Sequence, residues 1–352
     1  MVAKTAEDPL GRLVHLCESE PDLEALRRGL LLGLRKIMTV DAAFFATVDP
    51  LTLLFTAAFA DEPLLDVAPL FLENEYGNVD VNKFTALASG VDHVRTLDAA
   101  TQGQRATSAR YREVMGPLKL GDELRAALVH RGRCWGVLCL HRASSGLGFT
   151  EREVRVVRRL VPPLALALRN GVLARQELRQ DLEATDPGVV VLDHTGSLLS
   201  LSPEAEHWLN QLAPGGWAVP EHLPLWLRAL VARTLHDPGL QGATPPAVRL
   251  RTRTGHWLSV TASRLVGVIP PQVAVVLAPA TPGQLMPLLL DAHGLTPAQQ
   301  RVIECVLRGQ STQGVVSELH ISAYTMQEHL QAAFAKVGVR SRRELIAVLM
   351  TS

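Results

Sequence analysis

Residues 295–343, LTPAQQRVIECVLRGQSTQGVVSELHISAYTMQEHLQAAFAKVGVRSRR, are punctuated so densely that few folds satisfy them. Thr296-Pro297-Ala298-Gln299 reads as a helix start, with Thr as N-cap, Pro in the first turn and Gln completing a capping box. Val302, Ile303 and Val306 then form one apolar face, and Gly309 ends the helix. A second helix begins near Ser311-Thr312 and buries Val315, Val316 and Leu319. After a turn of about three residues, Ser322 caps a third helix, whose apolar positions Met326, Leu330, Ala333 and Val337 recur at helical spacing. Gly338 ends that helix, and Ser341-Arg342-Arg343-Glu344 is a capping box for a last one with Leu345, Val348 and Leu349. The middle pair, joined by a tight turn with the longer second member polar on its outer face, makes a helix-turn-helix.

These residues resemble the LuxR family of helix-turn-helix domains. Leu295-Thr296, Val302-Ile303, Gly309-x-Ser311, Ile321-Ser322, Thr325-Met326, His329-Leu330, Lys336-Val337-Gly338-Val339 and Arg342 fall where the family motif places them, over about sixty of the 352 residues. The sequence departs from the family at 299, where Gln replaces the usual Glu, and at 327, where Gln replaces the usual Lys. The resemblance implies that the third helix, roughly 323–337, enters the major groove of double-stranded DNA and that Gln327, Glu328 and Gln331 meet bases, with Met326 counted in the same DNA-binding set. Gln pairs bidentately with adenine and Glu accepts from the cytosine amino group, so the half-site is expected to favour A·T and C·G pairs. Phosphate contacts are expected from Thr312, Gln313, Ser322, Thr325, Lys336 and Arg340 together with helix N-termini. His329 reads as a packing residue, while Arg342 and Arg343 either contribute to phosphate binding or complement helix packing. Leu345, Val348 and Leu349 are the expected homodimer seam.

Charge does not point to a polybasic binder. The formal net charge is zero, and residues 291–352 hold six Lys+Arg against five Asp+Glu. Affinity for DNA must then come from local placement and from dimerisation. The start of the chain, MVAKTAEDPLGR, has no apolar targeting core, and the apolar runs near 160–168 and 285–290 are too short to span a bilayer. A cytoplasmic protein with no membrane partner is expected. Cys17, Cys134, Cys139 and Cys305 are irregularly spaced and read as buried reduced thiols.

Two further domains precede the helix-turn-helix. A helix over 20–37, strands over 42–48 and 51–58, helical patches over 63–74, 81–89 and 108–115, strands over 124–130 and 134–141, and a long exit helix opened by Thr150-Glu151-Arg152-Glu153 follow in order. That order, with the strand WGVLCLHR, resembles a GAF domain, which implies a small-molecule sensor or dimerisation fold over 10–175. Its exit helix, expected to continue toward Asp181, carries Leu164, Leu166, Leu168, Val172 and Leu173 as a face to bury or to pair across a dimer. Over 178–280, strands at 188–192 and 197–201, a helix from Ser202-Pro203, and strands at 247–253, 256–264 and 272–278 resemble a PAS domain, although 211–246 follows no clear PAS helix pattern. Residues 279–294 read as a connecting segment, and 290–352 form the DNA-binding domain. The fold class is therefore multidomain α+β: two antiparallel-sheet sensor-type domains followed by a four-helix all-α domain.

Several tempting chemistries fail on spacing. Val189–Asp193 looks like a phospho-acceptor strand, but the following His194-Thr195-Gly196 makes Asp193 a turn residue, and clustered carboxylates with a lysine are missing from the expected order. Cys134 and Cys139 lie on opposite faces of one regular strand, so with His130 and His141 they do not suggest a shared metal. Asp122-Glu123 reads as a solvated turn. Neither an enzyme nor a cofactor is expected. The leading reading is a dimeric, sequence-specific transcriptional regulator whose sensor domains control the helix-turn-helix, with a small-molecule effector in the GAF-like domain and RNA polymerase as a further partner. The competing readings are a protein-interaction adaptor with a degenerate helix-turn-helix and, less in keeping with the long insert of the first domain, an autoinducer receptor.

Overall fold

The computed structural model describes residues 8–173, 186–213, 223–237, 245–267 and 269–350. The chain opens with two paired amphipathic helices, α1 (Pro9–Ser19) and α2 (Leu23–Ile37), capped by the Asp8 and Asp22 carboxylates. α2 buries Leu26, Leu30, Leu31 and Leu34, and Leu13 of α1 lies so close to Gly33 that a Cβ there would stand 2.3 Å from its Cδ2. The first sheet is built from β1 (Ala42–Val48), β2 (Phe55–Ala60), β3 (Val94–Thr96), β4 (Leu120–His130) and β5 (Arg133–Ala143), in the order β2-β1-β5-β4-β3 with every neighbour antiparallel. Between β2 and β3 lie α3 (Glu62–Leu65), α4 (Ala68–Tyr76) and α5 (Phe84–Ser89); α6 (Leu97–Thr101) and a π-helical turn over Tyr111–Met115 precede β4. β4 and β5 are buried along almost their whole length, so both faces of the sheet are covered. The covering extends to α7 (Glu151–Leu173), whose Leu168 packs on Gly136 of β5 where any Cβ would collide.

Thr150 and Glu153 form the expected capping box at the start of α7, and Pro162 and Pro163 lie inside the helix without ending it. The stretch 174–185, into which the sequence carries this helix and across which it divides the two sensor-type domains, lies outside the described residues.

A second sheet repeats the first. β6 (Gly188–Leu192), β7 (Leu198–Leu201), β8 (Ala247–Arg251), β9 (Trp257–Arg264) and β10 (Val273–Pro279) are ordered β7-β6-β10-β9-β8, again antiparallel throughout. The strand order by sequence is the same in the two sheets. Ser202 caps α8 (Pro203–Leu212), which buries Trp208 and Leu209, and α9 (Leu225–His236) follows. Asp193 closes the β6–β7 turn, accepting from the backbone N–H of Thr195 and Ser197. α9 packs on α4 and β2 as well as on β9, and the buried Asp49 carboxylate accepts from Arg249 Nη1 at 2.6 Å. The two sheets therefore belong to one compact unit.

The C-terminal unit holds α10 (Pro282–Ala292), α11 (Pro297–Leu307), α12 (Thr312–Leu319), α13 (Ala323–Val337) and α14 (Arg342–Met350). Four of these match the expected helices. α10 replaces the expected connecting segment: Thr281 and Gln284 make a complete capping box, and Leu285, Leu288, Leu289 and Leu290 are buried. No helix among the described residues is long and apolar enough to cross a membrane.

Candidate functional site

The helix-turn-helix is assembled by local signals. Ser311 caps α12 by accepting from the Gly314 amide at 3.2 Å. His320 adopts a left-handed conformation, φ 52°, that turns the chain out of α12. Ser322 then caps α13, accepting from the Thr325 amide at 3.0 Å with the two hydroxyls 2.9 Å apart. The inner side of α13 is formed by Met326, Leu330, Ala333 and Phe334, all buried, and α13 packs on α11 and α12. The outer side carries Gln327, Glu328 and Gln331, all exposed. Tyr324, 73% exposed, stands one helical step before them. Positions 324, 327, 328 and 331 follow i, i+3, i+4, i+7, so the four side chains share one face. The sequence signal for Tyr324 is an aromatic residue on an otherwise polar rod.

The remaining expected positions separate into three groups. Thr312, Gln313, Ser322 and Arg340 are exposed, and Thr325 is half-buried beside its cap. Met326 is only 1% exposed and belongs to the packing core, which corrects its place among DNA contacts. The Lys336 ammonium donates to the Gly294 carbonyl at 2.9 Å and to Gln299 Oε1 at 2.8 Å, so it ties α13 to the start of α11 instead of projecting toward phosphate. Leu345 and Leu349 are completely buried and α14 packs against α10; in this structure they are core residues, not an open seam, and Val348 is half-buried. Arg342 donates to the Gln310 carbonyl, and His329 is half-buried. Arg308 pairs with Glu318 at 2.6 Å, and a hydrogen bond from Gln310 helps hold that carboxyl below its usual range.

The Lys336 contact predicts a gain. Gln299 is largely buried, and its Oε1 also accepts from the Thr296 amide at 2.9 Å. Gln299→Glu turns the Lys336 contact into an ion pair and gives the Thr296 amide a charged acceptor at a helix N-terminus, and is expected to stabilise the helical unit by about 1 kcal/mol. An upward shift of the urea midpoint in the C-terminal transition checks this; an unchanged or lower midpoint contradicts it.

A second cluster lies in the first sheet domain. Asp122 and Glu123, expected in a solvated turn, are buried within β4, and Glu123 faces His141 in the ladder. Arg110 donates to Glu123 Oε2 through Nε at 2.9 Å, and its Nη2 stands 2.7 Å from the same oxygen. Arg125 donates to Glu75 Oε2 at 2.8 Å and to the Asn82 carbonyl at 3.0 Å, with its guanidinium 3.8 Å above the Phe84 ring. Asp80 accepts from Asn74, Ser108 and the Arg110 amide. Burial pushes the Glu123 carboxyl up, but Arg110 and Arg125 outweigh it and hold the group below its usual range. Burial also pushes the His141 imidazole down to about 4 and the Cys139 thiol up to about 12. Glu123, Cys139 and His141 bring ligand-type atoms within 4.8 Å of one another, a convergence that single-strand alternation does not reveal because Glu123 comes from the neighbouring strand. These residues do not suit a cation: two guanidiniums already flank the carboxylate, and the thiol resists ionisation.

Residues 293–349 match the family model described as bacterial regulatory proteins, luxR family, and residues 22–168 match that of the GAF domain. The spore germination protein GerE of Bacillus subtilis (strain 168) is 32% identical over 56 residues, which are 16% of this chain and 76% of GerE. A chain from the crystal structure of the E.coli DhaR(N)-DhaL complex aligns with 77% of this chain and 90% of its own length, at 12% identity and a TM-score of 0.27, a score that does not establish a common fold.

Proposed function

The chain belongs to the luxR family of bacterial regulatory proteins, and on that premise we propose that it is a sequence-specific transcriptional regulator whose sheet domains govern the C-terminal helix-turn-helix. The observation that carries this reading is the exposed row Tyr324, Gln327, Glu328 and Gln331 on a helix whose opposite side is locked into its own domain. Such a row reaches base edges when the helix lies in the major groove. Phosphates are met by Thr312, Gln313, Ser322, Thr325 and Arg340, with the amide ends of α12 and α13.

The GAF domain is the sensor, taking a small-molecule effector within 10–175. The region 178–280 is a PAS-like second sensor, a reading supported by the strand order it shares with the first sheet. The DNA-binding domain is 290–352. The protein acts as a homodimer, because one domain with few outward cations binds duplex DNA weakly and two half-sites compensate. Its pairing surface is other than the one Leu345 and Leu349 line, since α10 packs against the helix that carries them. It works in the cytoplasm and meets RNA polymerase at its promoters.

Selection of binding sites from random duplexes, followed by anisotropy titration, tests the reading. Gln327→Ala is expected to cost about 1–3 kcal/mol against the selected site and to relax one A·T position. A selected site whose sequence is unchanged by substitution at 327, 328 and 331 refutes the base-reading assignment. Failure of the full chain to bind any duplex at low salt favours an adaptor role for the helical domain.

A further inference from the structure

The charged cluster of the first sheet domain forms the polar end of an otherwise apolar cavity. The cavity measures ≈ 20 Å³, room for about one water. Phe44, Phe55 and Phe71 line it with their rings mutually tilted at 5.3 and 5.5 Å from Phe44, and its polar lining side chains are Arg110, Glu123 and His141. Two atoms at that end are buried without a hydrogen-bond partner: Glu123 Oε1 and His141 Nδ1. Arg125 Nε approaches Glu123 Oε1 only to 3.8 Å, and His141 Nε2 only to 4.0 Å, both too long for hydrogen bonds. A buried carboxylate oxygen left this way is costly unless something donates to it. The remaining wall includes Leu225, the first residue of α9, which belongs to the second sheet domain.

The geometry points to a site for a small, mainly aromatic molecule with one uncharged hydrogen-bond-donor head, a hydroxyl or an aniline-type amine, that seats the head on Glu123 and displaces α9 through Leu225. The head is selected by the acceptor that lacks a donor. The body is selected by the three phenyl rings, which favour edge-to-face and offset contact with another ring. The cavity must widen to admit a ring. The sheet behind it is fixed by ladder hydrogen bonds on β1 and β5, so the movable wall is α3, α4 and Leu225. α9 packs on α4, β2 and β9, and the neighbouring Trp226 is buried, so displacement of Leu225 is transmitted to the second sheet. This deepens the sensor role proposed for the first domain by assigning the effector's chemistry and its route to the second.

The test uses the full chain and four probes of similar size: aniline, phenol, toluene and benzoate. Calorimetric titration is expected to show aniline or phenol binding at least tenfold more tightly than toluene and benzoate. In protein labelled with 5-fluorotryptophan, the fluorine resonance assigned by Trp226→Phe is expected to move on binding. Ala68→Leu fills the cavity from α4 and is expected to abolish binding while the chain stays folded by circular dichroism. Equal binding of toluene, preference for benzoate, binding of none of the four, or a stationary Trp226 resonance in the bound protein overturns the proposal. Glu123→Gln adds a second check where it folds: a preference for donor heads that survives it places the head elsewhere. The readout contains no DNA, so its failure leaves the DNA-binding reading standing, and loss of DNA binding leaves the cavity's chemistry standing.

Discussion

Arg125→Met destabilises the first sheet domain by about 3–5 kcal/mol, the expected result of removing one partner from a buried ion pair. The guanidinium is completely buried. It neutralises Glu75 at 2.8 Å, donates to the Asn82 carbonyl, and lies over Phe84. Methionine fills much of the same volume, so the loss is of charge and hydrogen bonds more than of packing. Glu75 Oε1 keeps the Phe84 amide, but Oε2 loses the donor that Arg125 supplies, and Glu123 loses one of its two cationic neighbours. The double variant Glu75→Met/Arg125→Met removes both charges and should recover part of the loss: no unpaired charge remains, but the Phe84 amide and the Asn82 carbonyl are left without these partners. Urea unfolding followed in the transition of the sheet domains checks both numbers. A single-variant loss under about 1 kcal/mol, in the range of exposed pairs, contradicts the account, as does a double variant no more stable than the single.

What made the helical domain legible was local chemistry. Each cap and each terminating glycine of α11 to α13 acts within a few residues of its own position, as at Thr296–Gln299, Ser322–Thr325 and Gly338. The sheets were legible because alternation and turn residues act at the same range, which is why β1, β5, β6 and β9 fall close to where the pattern puts them. α10 shows how such signals are misread: Thr281 and Gln284 form the same capping box as Thr296 and Gln299, yet the prolines around them suggest a linker. The second layer of information is non-local. Leu345 and Leu349 declare an apolar face, but only the fold shows that α10 packs against it. Lys336 reads as a phosphate ligand until Gln299 and Gly294 are seen to accept its hydrogen bonds. Asp122-Glu123 has the composition of a turn, and the arginine that pairs with Glu123, Arg110, immediately precedes the π-helical turn before β4. Even the shared order of the two sheets has no counterpart in the residues, since a strand order is kept by many unrelated side-chain sets.

The largest functional effect is expected from Glu328→Lys. Glu328 is exposed in the row Tyr324, Gln327, Glu328, Gln331, and a carboxylate there opposes the phosphate field on both sides of the groove. On the proposed reading its role is discrimination, accepting from a cytosine amino group, with loss of that contact costing about 1–3 kcal/mol of preference for the correct pair. Lysine reverses the charge. Binding to unselected duplex is expected to tighten by about tenfold at low salt, and the slope of log K against log salt to steepen by about 0.9 for each additional phosphate neutralised. Specific and non-specific affinities therefore converge from both directions, and the ratio between them falls further than either affinity changes alone. Anisotropy titrations of the selected site and a scrambled duplex across a salt series measure the slope and the ratio together. A carboxylate directed to solvent away from the groove predicts neither change, so an unaltered slope with an unaltered ratio removes Glu328 from the interface and leaves Tyr324, Gln327 and Gln331 to carry base recognition.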